Sequence, residues 1–420
     1  MRAPDHTRRV VVTGLGVISP VGNDKDTAWS NLREGVSGIG EITRFDASPY
    51  DQHLAGEVHG FVATDWMDAK AARRSEISLH YGVAAGKQAL ADAGFEITDE
   101  NRTEVGIVFG TGAGGQQLMI DNVNALRERG PRGVAPTFIA NALPDSASGM
   151  LAIETGAIGH NICIVSACST GTHCVAEASE AIRRGDCIAI ISGSTEMPLI
   201  EVGHAGFANM RGLGEPRPGE PIGTVSRPFD LTRNGFVLGE GAGSLLLEDL
   251  ELAKARGARI YAEVVGYGSA ADGWDMIQPI EGGAGSARAM KMALERRGVP
   301  ADQVDLINPH GTSTPLGDRR EAEAIWSVFG DHTRNIQISA TKSMTGHMMG
   351  AAGSFEAFAT VMSVAEQVVP ATLHYRDRDP DCDLTIATET HQRELRYALS
   401  NNMGLGGHNG AVVFRRYDGD

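Results

Sequence analysis

The chain has 420 residues, 42% of them hydrophobic, 21% charged and 5% aromatic, which is the profile of a globular enzyme and excludes a disordered or membrane-embedded chain. A formal net charge of −16 argues against nonspecific nucleic-acid binding, so any anionic partner requires a local basic patch. No apolar run reaches about 18 residues, so no membrane insertion is expected. The polar start, Met1 to Arg9, leads straight into a strand pattern and does not read as a signal peptide, which makes the cytoplasm the expected location.

Short apolar, branched runs at 9–13, 105–109, 162–166, 188–192 and 243–247 read as buried strands, with helical patterns at about 76–93 and 171–184 between them. A second series follows, with strands at 260–265, 304–308, 336–339, 397–400 and 411–414 and helices at about 284–297, 318–329 and 350–364. Strand–helix alternation implies a layered α/β architecture. Two similar series suggest a duplicated fold, with one half at 1–257 and the other at 258–420; periodicity alone does not expose a repeat of individual residues.

Five cysteines, at 163, 168, 174, 187 and 382, form an odd and sparse set without a CxxC pair. A disulfide framework and a structural zinc site are therefore not expected. Cys168 stands out within IVSACSTGTHCV, residues 164–175, where a strand runs into a helix of small residues. Helix N-terminal N–H groups and the macrodipole would there favour thiolate over thiol, and the N–H of Cys168 could face a developing oxyanion. The other four cysteines fit a packing role, which is also the plain alternative for Cys168.

Two further loops follow strands. VDLINPHGTSTPLGD, residues 304–318, carries His310, and SATKSMTGHMMGAAG, residues 339–353, carries Lys342 and His347. Each histidine alone is readily a hydrogen-bonded structural residue. Both together, past strand ends and beside a candidate nucleophile, support acyl chemistry. NNMGLGGHNG, residues 401–410, lies between two strands with no helix after it, so the dinucleotide fingerprint is not met. It reads as a loop whose N–H groups approach a substrate carbonyl, or as a plain hairpin turn.

From residue 9 to residue 414 the chain resembles the β-ketoacyl-(acyl-carrier-protein) synthase II type of the thiolase-like superfamily. The resemblance rests on VVVTGLGVISPVG, the Cys168 segment, SRPFDLTRNGFVLGEGAG, PHGTSTPLGD and TKSMTGHMMGAAG. It implies a duplicated five-layered αβαβα fold, a homodimer, and decarboxylative condensation of malonyl-carrier protein with an acyl chain on Cys168, in fatty acid elongation. Catalysis would need no cofactor. The resemblance assigns Cys168, His310 and His347 as the catalytic set, with Lys342 and Glu321 organising the histidines. The N–H groups of Cys168 and Leu405 would form the oxyanion hole. Thr312 and Thr314 would contact the phosphopantetheine arm, and Ala113, Phe207 and Leu405 the acyl chain. Leu405 stands where relatives commonly carry a gating Phe, and Ala113 where a larger aliphatic residue often closes the acyl pocket. Lys70, Arg73, Arg74, Arg132 and Arg211 match positions of the carrier-protein docking patch, and solvated surface charge is the plain alternative for each. Asn308, Glu356, Ser400 and Asn401 match a structural Na⁺ or K⁺ site of some members. The rival readings are a polyketide ketosynthase and a noncatalytic partner subunit; intact Cys168, His310 and His347 argue against the latter.

Overall fold

The computed structural model describes residues 7–419. The first half contributes β1 (Val10–Ile18), α1 (Ile77–Ala93), β2 (Val105–Gly110), α2 (Ser146–Thr155), β3 (Asn161–Ile162), α3 (Thr170–Arg184), β4 (Ala189–Glu196) and β5 (Gly241–Asp249). The second contributes β6 (Ala262–Ala271), α4 (Ala284–Glu295), β7 (Val304–Asn308), α5 (Pro315–Phe329), β8 (Gln337–Ile338), α6 (Ala352–Glu366), β9 (Tyr397–Gly404) and β10 (His408–Arg415). The two lists have the same order of strands and helices.

The strands form one ten-stranded mixed sheet, ordered β8-β7-β9-β10-β6-β1-β5-β4-β2-β3. Each half supplies five strands in the same spatial order, and the halves meet where β1 and β6 run antiparallel over only three pairs, Val10–Val264 to Val12–Ala262. Helices α3 and α6 pack on each other and on strands from both halves. Helix α1 covers the outside of the first half-sheet, and α4 covers the outside of the second. The result is the expected five layers, helix–sheet–helix–sheet–helix.

The duplication reaches individual residues. A Cβ on Gly14 or Gly16 of β1 would come within 2.0 Å of the carbonyl oxygens of Ala89 and Ala85 on α1. A Cβ on Gly266 or Gly268 of β6 would strike the carbonyls of Ala293 and Ala289 on α4 in the same way. In both halves a Gly-x-Gly strand lets an alanine-bearing helix lie against the sheet backbone.

The central helices are equally close. A Cβ on Gly171 would lie 2.2 Å from the Ser354 nitrogen, and one on Gly353 would lie 2.5 Å from the Thr172 nitrogen. Small residues thus press the N-terminal ends of α3 and α6 together, where Cys168 and His347 lie just upstream. Phe355, Phe358 and Val361 of α6 fill the main core with Val12, Leu245 and Leu247.

One expected strand is largely absent. Of 162–166, only Ile162 is in β3, because Cys163 turns its Sγ to the Pro144 carbonyl and the Thr170 hydroxyl takes the Ser166 N–H. Of the glycine-rich segment only residues 405–407 form a turn, and the rest belongs to the two eight-residue strands of the hairpin, β9 and β10. Among the described residues no helix is long and apolar enough to cross a membrane.

Candidate active site

Cys168 lies in a 3-10 turn, Ala167–Ser169, directly before α3. Ala167 has φ +52°, a strained value for a residue with a Cβ. The chain therefore turns sharply at the nucleophile. His347 is the counterpart in the second half, upstream of α6, and its Nε2 lies 3.1 Å from Cys168 Sγ. His310 follows β7, and its ring stands edge-on to that of His347 with centroids 5.2 Å apart. All three side chains are buried. They line a cavity of about 370 Å³ together with Phe207, Phe236, Met349, Met403 and Leu405.

Burial sets the resting protonation states. It pushes the Cys168 thiol up to about 11, against the opposing pull of Lys342 and of the N–H groups of Leu405 and Cys168. The expectation that the helix terminus leaves a thiolate at rest is thereby corrected, since desolvation outweighs the dipole. Burial and the nearby Lys342 hold His310 and His347 well below the ordinary histidine range, so both imidazoles are neutral. The rest state is neutral thiol beside neutral imidazole.

The expected organising residues form two buried groups. Lys342 Nζ pairs with Glu356 Oε1, and Glu356 Oε2 accepts from Asn402 Nδ2 at 2.7 Å. Asn402 Nδ2 also reaches His310 Nδ1 at 3.4 Å. An amide N–H can only donate, so His310 carries its own proton on Nε2. Glu321 accepts the N–H of His310 at 2.6 Å and of Gly311 at 2.7 Å, and Asn401 Nδ2 at 2.7 Å. Glu321 thus fixes the backbone of the His310 loop rather than its ring; burial raises its carboxyl to about 7.

Thr312 and Thr314 line the same cavity, and their hydroxyls are 3.1 Å apart. Phe207 lines it too, packed edge-on against Phe236 at 5.5 Å. Arg211 sits on the lining and is exposed. Arg73 and Arg74 line a separate depression, while Lys70 and Arg132 lie exposed on short helical turns. Ala113 is not on the wall of the Cys168 cavity within the single chain. The Gly112 N–H is bound by Glu196 Oε2 at 2.5 Å, and the turn there leaves Ala113 exposed.

Asn402 and Glu196 were not singled out in the sequence. Glu196, at the end of β4, accepts N–H groups from Gly112 and from Gly350, at 3.2 Å, and so ties the loop after β2 to the segment after His347.

Family comparison agrees with this geometry. Residues 7–253 match the N-terminal domain of β-ketoacyl synthases, and residues 261–376 match the C-terminal domain. The chain belongs to the β-ketoacyl synthase family. It is 43% identical over 412 residues to a 3-oxoacyl-[acyl-carrier-protein] synthase 2 of Staphylococcus aureus (strain N315), covering 98% of this chain and 99% of that one. It is 44% identical over 411 residues to the Vibrio harveyi protein of the same name, covering 97% and 99%. A β-ketoacyl synthase crystal structure from Burkholderia phymatum STM815 superposes with a TM-score of 0.89 at 33% identity, covering 98% of this chain and all of that one. A ketosynthase bound to a hexaketide, in complex with its type II polyketide acyl-carrier protein, gives 0.90 at 30% identity with coverage of 98% and 100%. The chain is a condensing acyltransferase of this thiolase-like fold.

Proposed function

We propose that the chain elongates acyl groups by two carbons in fatty acid synthesis, taking both acyl and malonyl groups from acyl carrier protein. The single observation that carries this is Cys168 Sγ at 3.1 Å from His347 Nε2, with His310 edge-on beside it in one cavity. Higher identity to 3-oxoacyl-[acyl-carrier-protein] synthase 2 proteins than to the polyketide ketosynthase favours fatty acid over polyketide substrates.

In the first step Cys168 Sγ attacks the carrier thioester, and the acyl carbon–sulphur bond to the arm breaks. His347 takes the thiol proton and passes it to the departing arm sulphur. The carbonyl oxygen turns toward the N–H groups of Cys168 and Leu405, which already lie at the sulphur. Malonyl-carrier protein then loses CO₂, and the enolate oxygen accepts from Nε2–H of His310. The α-carbon attacks the Cys168 thioester, the carbon–sulphur bond breaks to leave the Cys168 thiolate, which takes a proton from solvent to return to the thiol, and the β-ketoacyl chain leaves on the carrier arm. Neutral imidazoles suit this work, because His347 can take the thiol proton and His310 can donate without adding a charge to a dry site.

The acidic carrier would meet Arg211 at the cavity mouth, with Lys70, Arg73, Arg74 and Arg132 completing the patch. Reversing Arg73 and Arg74 to Glu should raise the KM for acyl carrier protein about ten-fold with kcat unchanged. An unchanged KM in steady-state kinetics would remove both from the patch.

The proposal includes a homodimer. Exposed Met119, Leu126, Ile139, Leu143, Ile153 and Ile158 lie along a run of helices packed one on the next, Gln116–Arg129, Phe138–Ala142 and α2, of which α2 packs on the outermost strand β3. A second copy over this face would also cover Ala113. Light scattering after size exclusion should give twice the chain mass. A cytosolic setting suits five cysteines that are all thiols.

A monovalent cation fits one buried cluster. The side-chain oxygens of Asn308 and Ser400 are buried without hydrogen-bond partners, and the two residues pair across β7 and β9. Asn401 Oδ1 also lacks a partner, but Asn401 follows Ser400 in the strand and turns its amide to Glu321 on the opposite face. Neutral oxygen donors suit Na⁺ or K⁺. The Glu356 carboxylate is already engaged by Lys342 and Asn402, so it would add charge nearby rather than a free donor. The ion would supply structural satisfaction only, and Tm should fall on exchanging K⁺ and Na⁺ for choline.

Condensation itself is tested with acyl- and malonyl-carrier proteins and mass spectrometry of the product. A product two carbons longer is expected; acylation without extension would overturn the elongation reading.

A further inference from the structure

His173 lies about one turn into α3, on the face turned toward the β9–β10 hairpin. Its Nδ1 is 2.7 Å from the Ser166 hydroxyl, and its Nε2 is 3.3 Å from the Asn409 carbonyl. A carbonyl can only accept, so the Nε2 proton points to Asn409 and Nδ1 accepts the Ser166 O–H. Burial favours the neutral ring that this arrangement requires. A Cβ on Gly410 would lie 3.1 Å from the ring, so the imidazole rests directly on the hairpin backbone.

Both ends of this bridge adjoin the oxyanion hole. Ser166 directly precedes Ala167, the strained residue of the nucleophile turn. Asn409 pairs across the hairpin with Met403, two residues before Leu405. The Asn409 side chain also donates to the Gly407 carbonyl at 3.0 Å and to Asp272 Oδ1 at 2.8 Å, and Asp272 lines the mouth of the cavity. The hole takes one N–H from each half of the chain, from Cys168 and from Leu405. Nothing covalent fixes their separation, and the Ser166–His173–Asn409 bridge spans that gap. Ser169 adds a second stitch, its hydroxyl lying 3.0 Å from the Asn402 carbonyl and 2.8 Å from that of His408.

We propose that Ser166 and His173 are positioning residues that set the spacing of the oxyanion hole, by tying the nucleophile turn to the glycine-rich hairpin. They touch neither the substrate nor the sulphur. The inference rests on the reading that Cys168 accepts the acyl group.

The test separates a reaction that needs the hole from one that does not. Acyl transfer to Cys168 passes through an oxyanion, whereas alkylation by iodoacetamide displaces iodide at a saturated carbon and forms none. In His173→Phe, acylation by acyl carrier protein should slow about 30–100-fold, in line with a displaced hole donor. The KM for the carrier should stay within about two-fold and alkylation within about three-fold of wild type, as expected of a change confined to transition-state contacts. Ser166→Ala, which removes one hydroxyl and is the safer variant for folding, should slow acylation about five- to ten-fold with the same split. His173→Gln, whose amide can still donate toward Asn409, should recover part of the rate. The two losses should not add in the double variant. Acylation at wild-type rates in Ser166→Ala and in folded His173→Phe would overturn the inference, as would alkylation falling in step with acylation. If His173→Phe does not fold, Ser166→Ala decides alone. A wild-type enzyme that never acylates at Cys168 would instead sink the reading on which the inference rests.

Discussion

Cys168→Ala should show no mass gain with acyl carrier protein, and its condensation rate should fall by ~10⁴-fold or more. The other four cysteines offer no substitute. Only Cys168 lines the cavity with both histidines, while Cys174, Cys187 and Cys382 are buried elsewhere in the core. Decarboxylation of malonyl-carrier protein should persist in the same variant, because His310 acts on the enolate oxygen and not on the sulphur. His310→Ala should give the converse result, with Cys168 still acylated and decarboxylation slowed about 10²–10³-fold, as for loss of one donor to a developing oxyanion. The pair of variants is read by intact mass and by CO₂ release. If both activities vanish together in Cys168→Ala, the division of labour between sulphur and imidazoles is wrong.

Much of this site was legible in the sequence because its reactive residues sit where chain-local patterns change. Cys168, His310 and His347 each lie between a strand or strand-like run and a helix, and small residues beside them mark close approach. The supporting residues were harder to find for a physical reason. Asn402 lies in a run of Asn and Gly that reads as turn chemistry, yet it sits inside an eight-residue strand and serves Glu356 and His310. Glu196 resembles a surface charge at a strand end. Its burial depends on Gly112 and Gly350, 84 and 154 residues away. The strain at Ala167 was hidden because alanine, unlike glycine, gives no sequence sign of a positive φ.

Protonation was misread for the same reason. A helix N-terminus is visible in sequence, whereas the desolvation that overrides it at Cys168 comes from both halves folding around the sulphur. The repeat shows the opposite case. Gly14-x-Gly16 and Gly266-x-Gly268 stand in the sequence, but their equivalence appears only when each meets its alanine-bearing helix. The Ala113 expectation failed because the turn after β2 leaves the residue exposed and off the wall of the Cys168 cavity.

Lys342→Met should destabilise the protein by about 3–5 kcal/mol, the usual result of removing one partner from a buried ion pair. Lys342 and Glu356 are each 2% exposed at the side chain, so the stranded carboxylate would gain little from water. Burial already raises the Glu356 carboxyl, and Lys342 is the largest influence opposing that shift. Without Lys342 the folded-state value rises further above the unfolded one. The folded variant then binds more protons than the unfolded chain, so its stability falls as pH rises between those two values. The Tm deficit against wild type should therefore be larger at pH 8 than at pH 5. A deficit that is equal at both would mean that Glu356 is not left as a buried anion. Lys342→Met combined with Glu356→Gln removes both charges and should recover most of the lost Tm. Activity should not return with it, because Lys342 is a cation that acts on Cys168, His310 and His347. Recovery of stability without recovery of condensation would separate the pair's role in the reaction from its role in the fold. Recovery of both would reduce Lys342 to a structural residue.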